Sequence, residues 1–226
     1  MELVRFKNEE PKTIFAPVYD YIIGEDFLTR APQYWSMVKD VILKKEKEIL
    51  NSTSTFDDII SDGYTGLGNN SLTSRHKKFN VFKWQEPTLD IILKGIKSKY
   101  LEYLKLVNAP RRKVLLKCWA NVMRKGEQIK PHLHDIGPYS YLGGHISVTN
   151  NNTSTFYINT INQINEPSVY ESKNEPGKIT IFPHVVPHYT SVNNSDSERI
   201  TIAFDFIVDE MKKIHGDNLI TLDEGI

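Results

Sequence analysis

The hydrophobic period of this chain changes once, and the change falls at Pro110 to Arg112. Before it, residues 33–50 place Tyr34, Val38, Val41, Ile42 and Ile49 on one helical stripe, with Lys and Glu between them. Residues 88–107 repeat Leu89, Ile92, Ile96, Tyr100, Tyr103 and Val107 at the same spacing, with Thr88 as the predicted cap and Pro110 as the stop. Beyond Arg112 the period is two. Residues 114–123 put Lys117, Trp119 and Asn121 on one face and Leu116, Cys118, Ala120 and Val122 on the other. Shorter strand-like runs cover 145–148, 155–158, 178–182 and 200–208, separated by Gly, Pro and Asn clusters, and an early strand is expected over 15–23. Residues 51–75, polar and rich in Gly, are expected to form a long loop over the site.

This pattern predicts an α+β chain that is mainly β with N-terminal helices, its β part an antiparallel sandwich or barrel. No boundary divides it, so one domain over 1–226 is expected: a helical and loop support region over 1–110, a β core over 111–210 and a tail over 211–226. A chain of 226 residues can bury a core without staples, and its single cysteine, Cys118, rules out an internal disulfide framework and suits a reducing compartment. With 28 Lys and Arg against 28 Asp and Glu, the net charge supplies no pull toward nucleic acid or an anionic membrane. The first ten residues lack a signal-peptide core and no later run has the length of a membrane span, so a soluble, cytoplasmic protein is expected.

Two stretches carry the candidate chemistry. In Lys-Pro-His-Leu-His-Asp (130–135), His132 and His134 are two apart, and in an extended strand such residues share a face. Phe-Pro-His-Val-Val-Pro-His-Tyr (182–189) offers a third imidazole, from His184 or His188. Imidazoles with open coordination positions suit a redox metal such as iron. The last strand alternates, with Ile200, Ile202, Phe204, Phe206 and Val208 on one face and Arg199, Thr201, Ala203 and Asp205 on the other. A guanidinium carried into a barrel needs an anionic partner, and its fork matches a carboxylate, so a small dicarboxylate is a fitting occupant. The alternative is an Arg at the strand mouth in a weak exposed pair with Glu198 or Asp205.

Taken together, Trp119-Ala-Asn121, Gly126, His132-Leu-His134, Gly143-Gly144, Pro176-Gly177 through Pro183, His188 and Glu198-Arg199-Ile-Thr201-Ile-Ala-Phe resemble the Fe(II)- and 2-oxoglutarate-dependent oxygenases, in the branch found in bacteria and marine phages. The likeness covers 114–208 and rests on order and spacing. It implies a double-stranded β-helix, a cupin-like jelly roll with helices behind one sheet. It implies Fe(II) held by His132, His134 and His188, and 2-oxoglutarate held at its distal carboxylate by Arg199 and Thr201, with Asn121 lining the pocket. The implied reaction couples decarboxylation of 2-oxoglutarate by O2 to hydroxylation of a small-molecule or peptidyl substrate. A phage origin, with action in a host cytoplasm, is also implied.

Most of the superfamily has a carboxylate where this chain has His134, followed by Asp135. His134 is favoured as the ligand because positions i and i+2 share a face and i and i+3 do not. His145 is expected on the surface or behind the ligands, and His76 and His215 in solvated loop or tail. Two other readings stay open: a three-histidine cupin dioxygenase that does not use 2-oxoglutarate, and a non-enzymatic jelly-roll binding or structural protein.

Overall fold

A computed structural model of the chain describes residues 1–54, 60–159, 168–216 and 218–222. Among the described residues ten strands form two antiparallel sheets. They are β1 (Glu2–Lys7), β2 (Asp20–Phe27), β3 (Val114–Met123), β4 (Leu142–Ser147), β5 (Ser154–Ile158), β6 (Val169–Lys173), β7 (Lys178–Pro183), β8 (His188–Thr190), β9 (Arg199–Val208) and β10 (Ile220–Thr221). The large sheet has seven strands in the order β1-β2-β7-β4-β9-β3-β10, and the small one has three, β6-β5-β8. The architecture is a double-stranded β-helix with few helices.

The two expected helices are α1 (Pro32–Ser52) and α2 (Pro87–Leu106). The first buries Trp35, Val38, Ile42 and Ile49, and the second buries Leu89, Ile92, Ile96, Tyr100, Tyr103 and Leu104. Both stripes join one core with the outer face of β9, where Tyr100 stacks on Phe206 at 4.3 Å between ring centroids. Glu46 is also buried on α1, and its carboxylate accepts two hydrogen bonds from Arg124, at 3.1 and 2.7 Å. Thr88 is not the cap of α2. The helix begins with Pro87 in its first turn and Glu86 at the N-cap, because proline's fixed φ and missing N–H cost nothing there.

Strand ends differ from the expectation where the alternation is short. The early strand begins at Asp20 rather than at residue 15, and Phe15 is 89 % exposed. β4 begins at Leu142, three residues ahead of the expected start, because Gly143 and Gly144 are themselves in the ladder with β7 and β9. β1, β6, β8 and β10 were not expected. Residues 55–59 of the loop, and the side chain of His215, lie outside the described residues.

Period two in β3, β4 and β9 then fixes what points between the sheets. In the β3–β9 ladder Lys117 faces Asp205, Trp119 faces Ala203, Asn121 faces Thr201 and Met123 faces Arg199. From β4, Gly143 and His145 fall on this same face, opposite Asp205 and Ala203. The far wall is the small sheet, extended at its β8 edge by residues 129–134. There His132 and His188 exchange backbone hydrogen bonds at 3.1 and 2.9 Å, and the His134 N–H donates to the His184 carbonyl at 3.0 Å.

Candidate metal and cofactor site

The ladder between residues 132–134 and β8 brings three imidazoles together. Ring centroids are 4.4 Å apart for His132 and His188, 5.1 Å for His134 and His188, and 5.6 Å for His132 and His134. One nitrogen from each lies within 4.8 Å of the other two. The partners of the remaining nitrogens fix the tautomers. His132 Nδ1 is 2.9 Å from the Lys130 carbonyl and His188 Nδ1 is 3.1 Å from the Val186 carbonyl. A carbonyl can only accept, so both Nδ1 atoms carry the proton. His134 Nδ1 is 2.5 Å from Asp205 Oδ1 and donates in the same way. With the proton of the neutral ring on Nδ1, Nε2 is in each case the nitrogen available to a metal. Burial, then the neighbouring His134, pushes His132 down to about 4. His188 is pushed well below its ordinary value by burial and by the other two histidines. The His132 and His188 rings are therefore neutral at physiological pH.

Asp135 belongs to neither potential metal-binding group among the described residues. Its carboxylate accepts from the Gly137 N–H at 2.9 Å and closes the turn after the strand. The acidic neighbour of the cluster is Asp205, to which sequence reasoning gave no more than a surface pairing. Burial alone would raise its carboxyl, but His134 and His184 outweigh that and hold it well below the carboxylate range. His184 stands behind this pair. Its Nδ1 accepts from the Tyr141 N–H at 3.2 Å, which leaves the proton on Nε2, 3.4 Å from Asp205 Oδ1. That contact is electrostatic rather than a well-formed hydrogen bond. The Gly143 residue makes room for the arrangement: a Cβ there would lie 2.9 Å from His134 Nδ1 and 3.0 Å from Asp205 Oδ1.

A cavity of about 170 Å³ runs from this cluster to Arg199. Arg199 is 1 % exposed, and no carboxylate meets it among the described residues. Its Nε and Nη2 donate to Thr153 and Thr155 hydroxyls, each at 3.2 Å, and Nη1 lies 3.1 Å from Met123 Sδ. Glu198 is paired instead with Lys39 at 3.1 Å, and Asp205 with His134, so the exposed-pair alternative does not hold. Burial pushes the guanidinium down to about 10, still charged at neutral pH. Beside it, Thr73 donates to Asn121 Oδ1 at 2.7 Å, and Asn121 Nδ2 donates to Thr201 Oγ1 at 3.3 Å. Thr201 and Asn121 thus form one buried polar wall of the cavity.

Of the two places expected for His145, the one behind the ligands holds and the surface one does not: it lines the cavity, 3.4 Å from the Thr155 hydroxyl and 3.3 Å from that of Tyr157, and burial, then Arg199, pushes it down to about 3. His76 is not solvated. It packs 5.8 Å from Trp119 at the cavity mouth, and burial, then Lys117, pushes it down to about 4. The exposed Lys77 and Lys78 beside it hide this in the sequence.

Residues 117–205 match the family model described as "Putative 2OG-Fe(II) oxygenase". This stretch is similar to a 2OG-Fe(II) oxygenase domain. It holds His132, His134, His188, Arg199 and Asp205, the full set assembled above. Among solved structures, the chain is similar to a prolyl-4-hydroxylase of Pseudomonas putida, with TM-score 0.54 and 9 % identity over 82 % of this chain and 87 % of that one. The non-heme alpha ketoglutarate dependent carbocyclase SnoK from nogalamycin biosynthesis gives 0.55 and 9 %, over 88 % and 90 %. The epimerase SnoN, from the same biosynthesis, gives 0.54 and 10 %, over 91 % and 92 %. At such identities the likeness is one of fold. No curated protein matches the chain. Among the described residues, no helix is long and apolar enough to cross a membrane.

Proposed function

We propose that the chain is a non-haem Fe(II)- and 2-oxoglutarate-dependent oxygenase that hydroxylates a C–H bond of a small-molecule or peptidyl substrate with O2. The observation that carries this reading is the pairing of two unsatisfied features in one cavity: three convergent Nε2 lone pairs, and a buried guanidinium with no carboxylate among the described residues. The donor set fits a divalent iron with open positions, and the fork of Arg199 fits the far carboxylate of a short dicarboxylate. A three-histidine dioxygenase without 2-oxoglutarate would leave Arg199 buried and unpaired, which is costly.

In this reading His132, His134 and His188 hold the iron and Arg199, with Thr201 and Asn121 beside it, orients the cofactor. Iron and 2-oxoglutarate together supply the oxidising chemistry. Asp205 fixes the tautomer and the ring plane of His134, and its charge stands in, one bond network further out, for the carboxylate ligand usual at position 134. Thr73 locks Asn121, so the polar wall keeps its donors oriented without water. The named activities of the fold relatives differ in outcome.

Anaerobic addition of Fe(II) and 2-oxoglutarate to the metal-free protein is expected to produce a visible charge-transfer band that neither produces alone. With O2, succinate is expected to form. If no band appears and calorimetry finds no iron-dependent binding of 2-oxoglutarate, the proposal fails. Asp205→Asn keeps the shape of the side chain and removes its charge, and it should weaken Fe(II) or Co(II) binding by about 10- to 100-fold in competition with a chromophoric chelator. Equal affinities would mean that Asp205 only packs.

A further inference from the structure

The cavity described above has a closed end and an open one. Arg199, Thr201, Asn121, Thr73, Thr155 and His145 are buried, whereas His76, Lys117, Trp119 and His132 are half-buried and Leu133 is 40 % exposed. The second side is the one open to solvent. Most charges at that mouth are already committed. Asp62 accepts hydrogen bonds from the N–H groups of Tyr64, Gly66 and Gly68 at 3.1, 3.0 and 2.9 Å, and Asp205 is held by His134 and His184.

Lys117 is different. It sits mid-strand on the inward face of β3, with its ammonium 5.6 Å from the centre of the Trp119 ring, and it makes no hydrogen bond or ion pair among the described residues. Burial pushes it below the ordinary lysine value, the field of Asp205 across the ladder pulls it back up, and Lys77 nearby adds to the lowering. A lysine carried into a strand interior without a hydrogen-bonded partner forgoes solvation, and an anion supplied by a ligand would restore it. Trp119 offers a flat apolar face beside it, 5.8 Å from the His134 ring. The two cations also divide the cavity. Met123 with Arg199 and Lys117 with Asp205 are six residues apart along the same ladder, or about 20 Å at ~3.3 Å per residue, and His134 is bonded to Asp205 at the Lys117 end.

We infer that the mouth formed by Lys117, Trp119 and His76 is the prime-substrate site, and that it takes a substrate bearing a carboxylate or phosphate group beside an apolar, flat or ring-shaped body. This rests on the reading of the His132, His134 and His188 cluster as the metal centre, because that reading decides which side of the cavity faces substrate. Arg199 serves the cofactor's anion, and Lys117 serves the substrate's.

The test uses benzoate and phenyl phosphate against their neutral counterparts, benzamide and phenol, with Trp119 fluorescence as the readout and Trp119→Phe as the control for the other two tryptophans. Titrations are run on the full chain with Co(II) and 2-oxoglutarate, and in parallel without them. The acids are expected to perturb Trp119 and the neutral compounds to bind far more weakly. Lys117→Met should weaken acid binding by about tenfold or more, the scale of one hydrogen bond to a charged group, and Lys117→Arg should restore part of it. The tighter of the two acids names the group. Equal binding of acids and neutral compounds, no acid-selective binding, or acid binding unchanged in Lys117→Met would each overturn the inference. So would binding lost in Arg199→Met and kept in Lys117→Met, which would place the acid at the inner cation. If 2-oxoglutarate itself fails to bind, the proposed function falls, while the titrations without cofactor still decide the role of Lys117.

Discussion

His188→Ala is expected to abolish iron binding and 2-oxoglutarate turnover, and His184→Ala is expected to leave most of both. The two residues share one eight-residue stretch, so composition cannot separate them, but their nitrogens are committed differently. His188 donates from Nδ1 to the Val186 carbonyl and turns a free Nε2 toward His132 and His134. In His184 the Tyr141 N–H occupies Nδ1 and the proton sits on Nε2 beside Asp205, so no lone pair is left for a metal. Loss of one of three ligands should exceed the roughly 10- to 100-fold penalty typical of an outer-shell residue. Removing His184 instead leaves the Tyr141 N–H unpaired. Its cost is expected in stability, about 1–3 kcal/mol, rather than in metal affinity. Chelator competition and thermal melting of both variants separate the two effects. Iron retained in His188→Ala and lost in His184→Ala would move the centre to His134, His184 and Asp205, the other group of potential ligands among the described residues.

What was legible in the sequence depended on length of pattern. β3 was legible because Leu116 to Val122 alternate between two faces, and β9 because Arg199 to Phe206 do. β8 was missed because a three-residue strand has no period to detect, and its place is set by backbone bonds to His132 and by pairing with β5. The convergence of His132 and His134 followed from spacing. That Asp205 stands behind His134 did not, since the contact spans 71 positions and needs Gly143 to leave the gap. The place of His76 was likewise out of reach, and for Lys117 only the strand face it shares with Trp119 could be read. A half-buried lysine and a histidine beside exposed lysines look like ordinary surface until Trp119 is seen between them.

Arg199→Met should weaken 2-oxoglutarate binding by about ten- to more than a hundredfold while leaving iron affinity nearly intact, since a hydrogen bond to a charged group contributes about 1.5–3 kcal/mol. The guanidinium has no charged partner among the described residues, only two hydroxyls and a thioether, so in the empty protein it is a desolvated cation. Methionine has a similar reach and no charge. The variant should therefore melt at or above the temperature of the wild type when no cofactor is present, because the substitution removes a buried charge rather than a salt bridge. Adding iron and 2-oxoglutarate should reverse the order. A ligand at 1,000 times its dissociation constant stabilises a folded protein by about 4.1 kcal/mol, and the wild type alone should gain that increment at a concentration the variant cannot use. The crossing of the two melting curves is the signature of an arginine kept for a ligand. A variant that melts well below the wild type without cofactor, and binds 2-oxoglutarate as tightly, would show instead that Arg199 ties the small sheet to β9 through Thr153 and Thr155 and has no part in holding the cofactor.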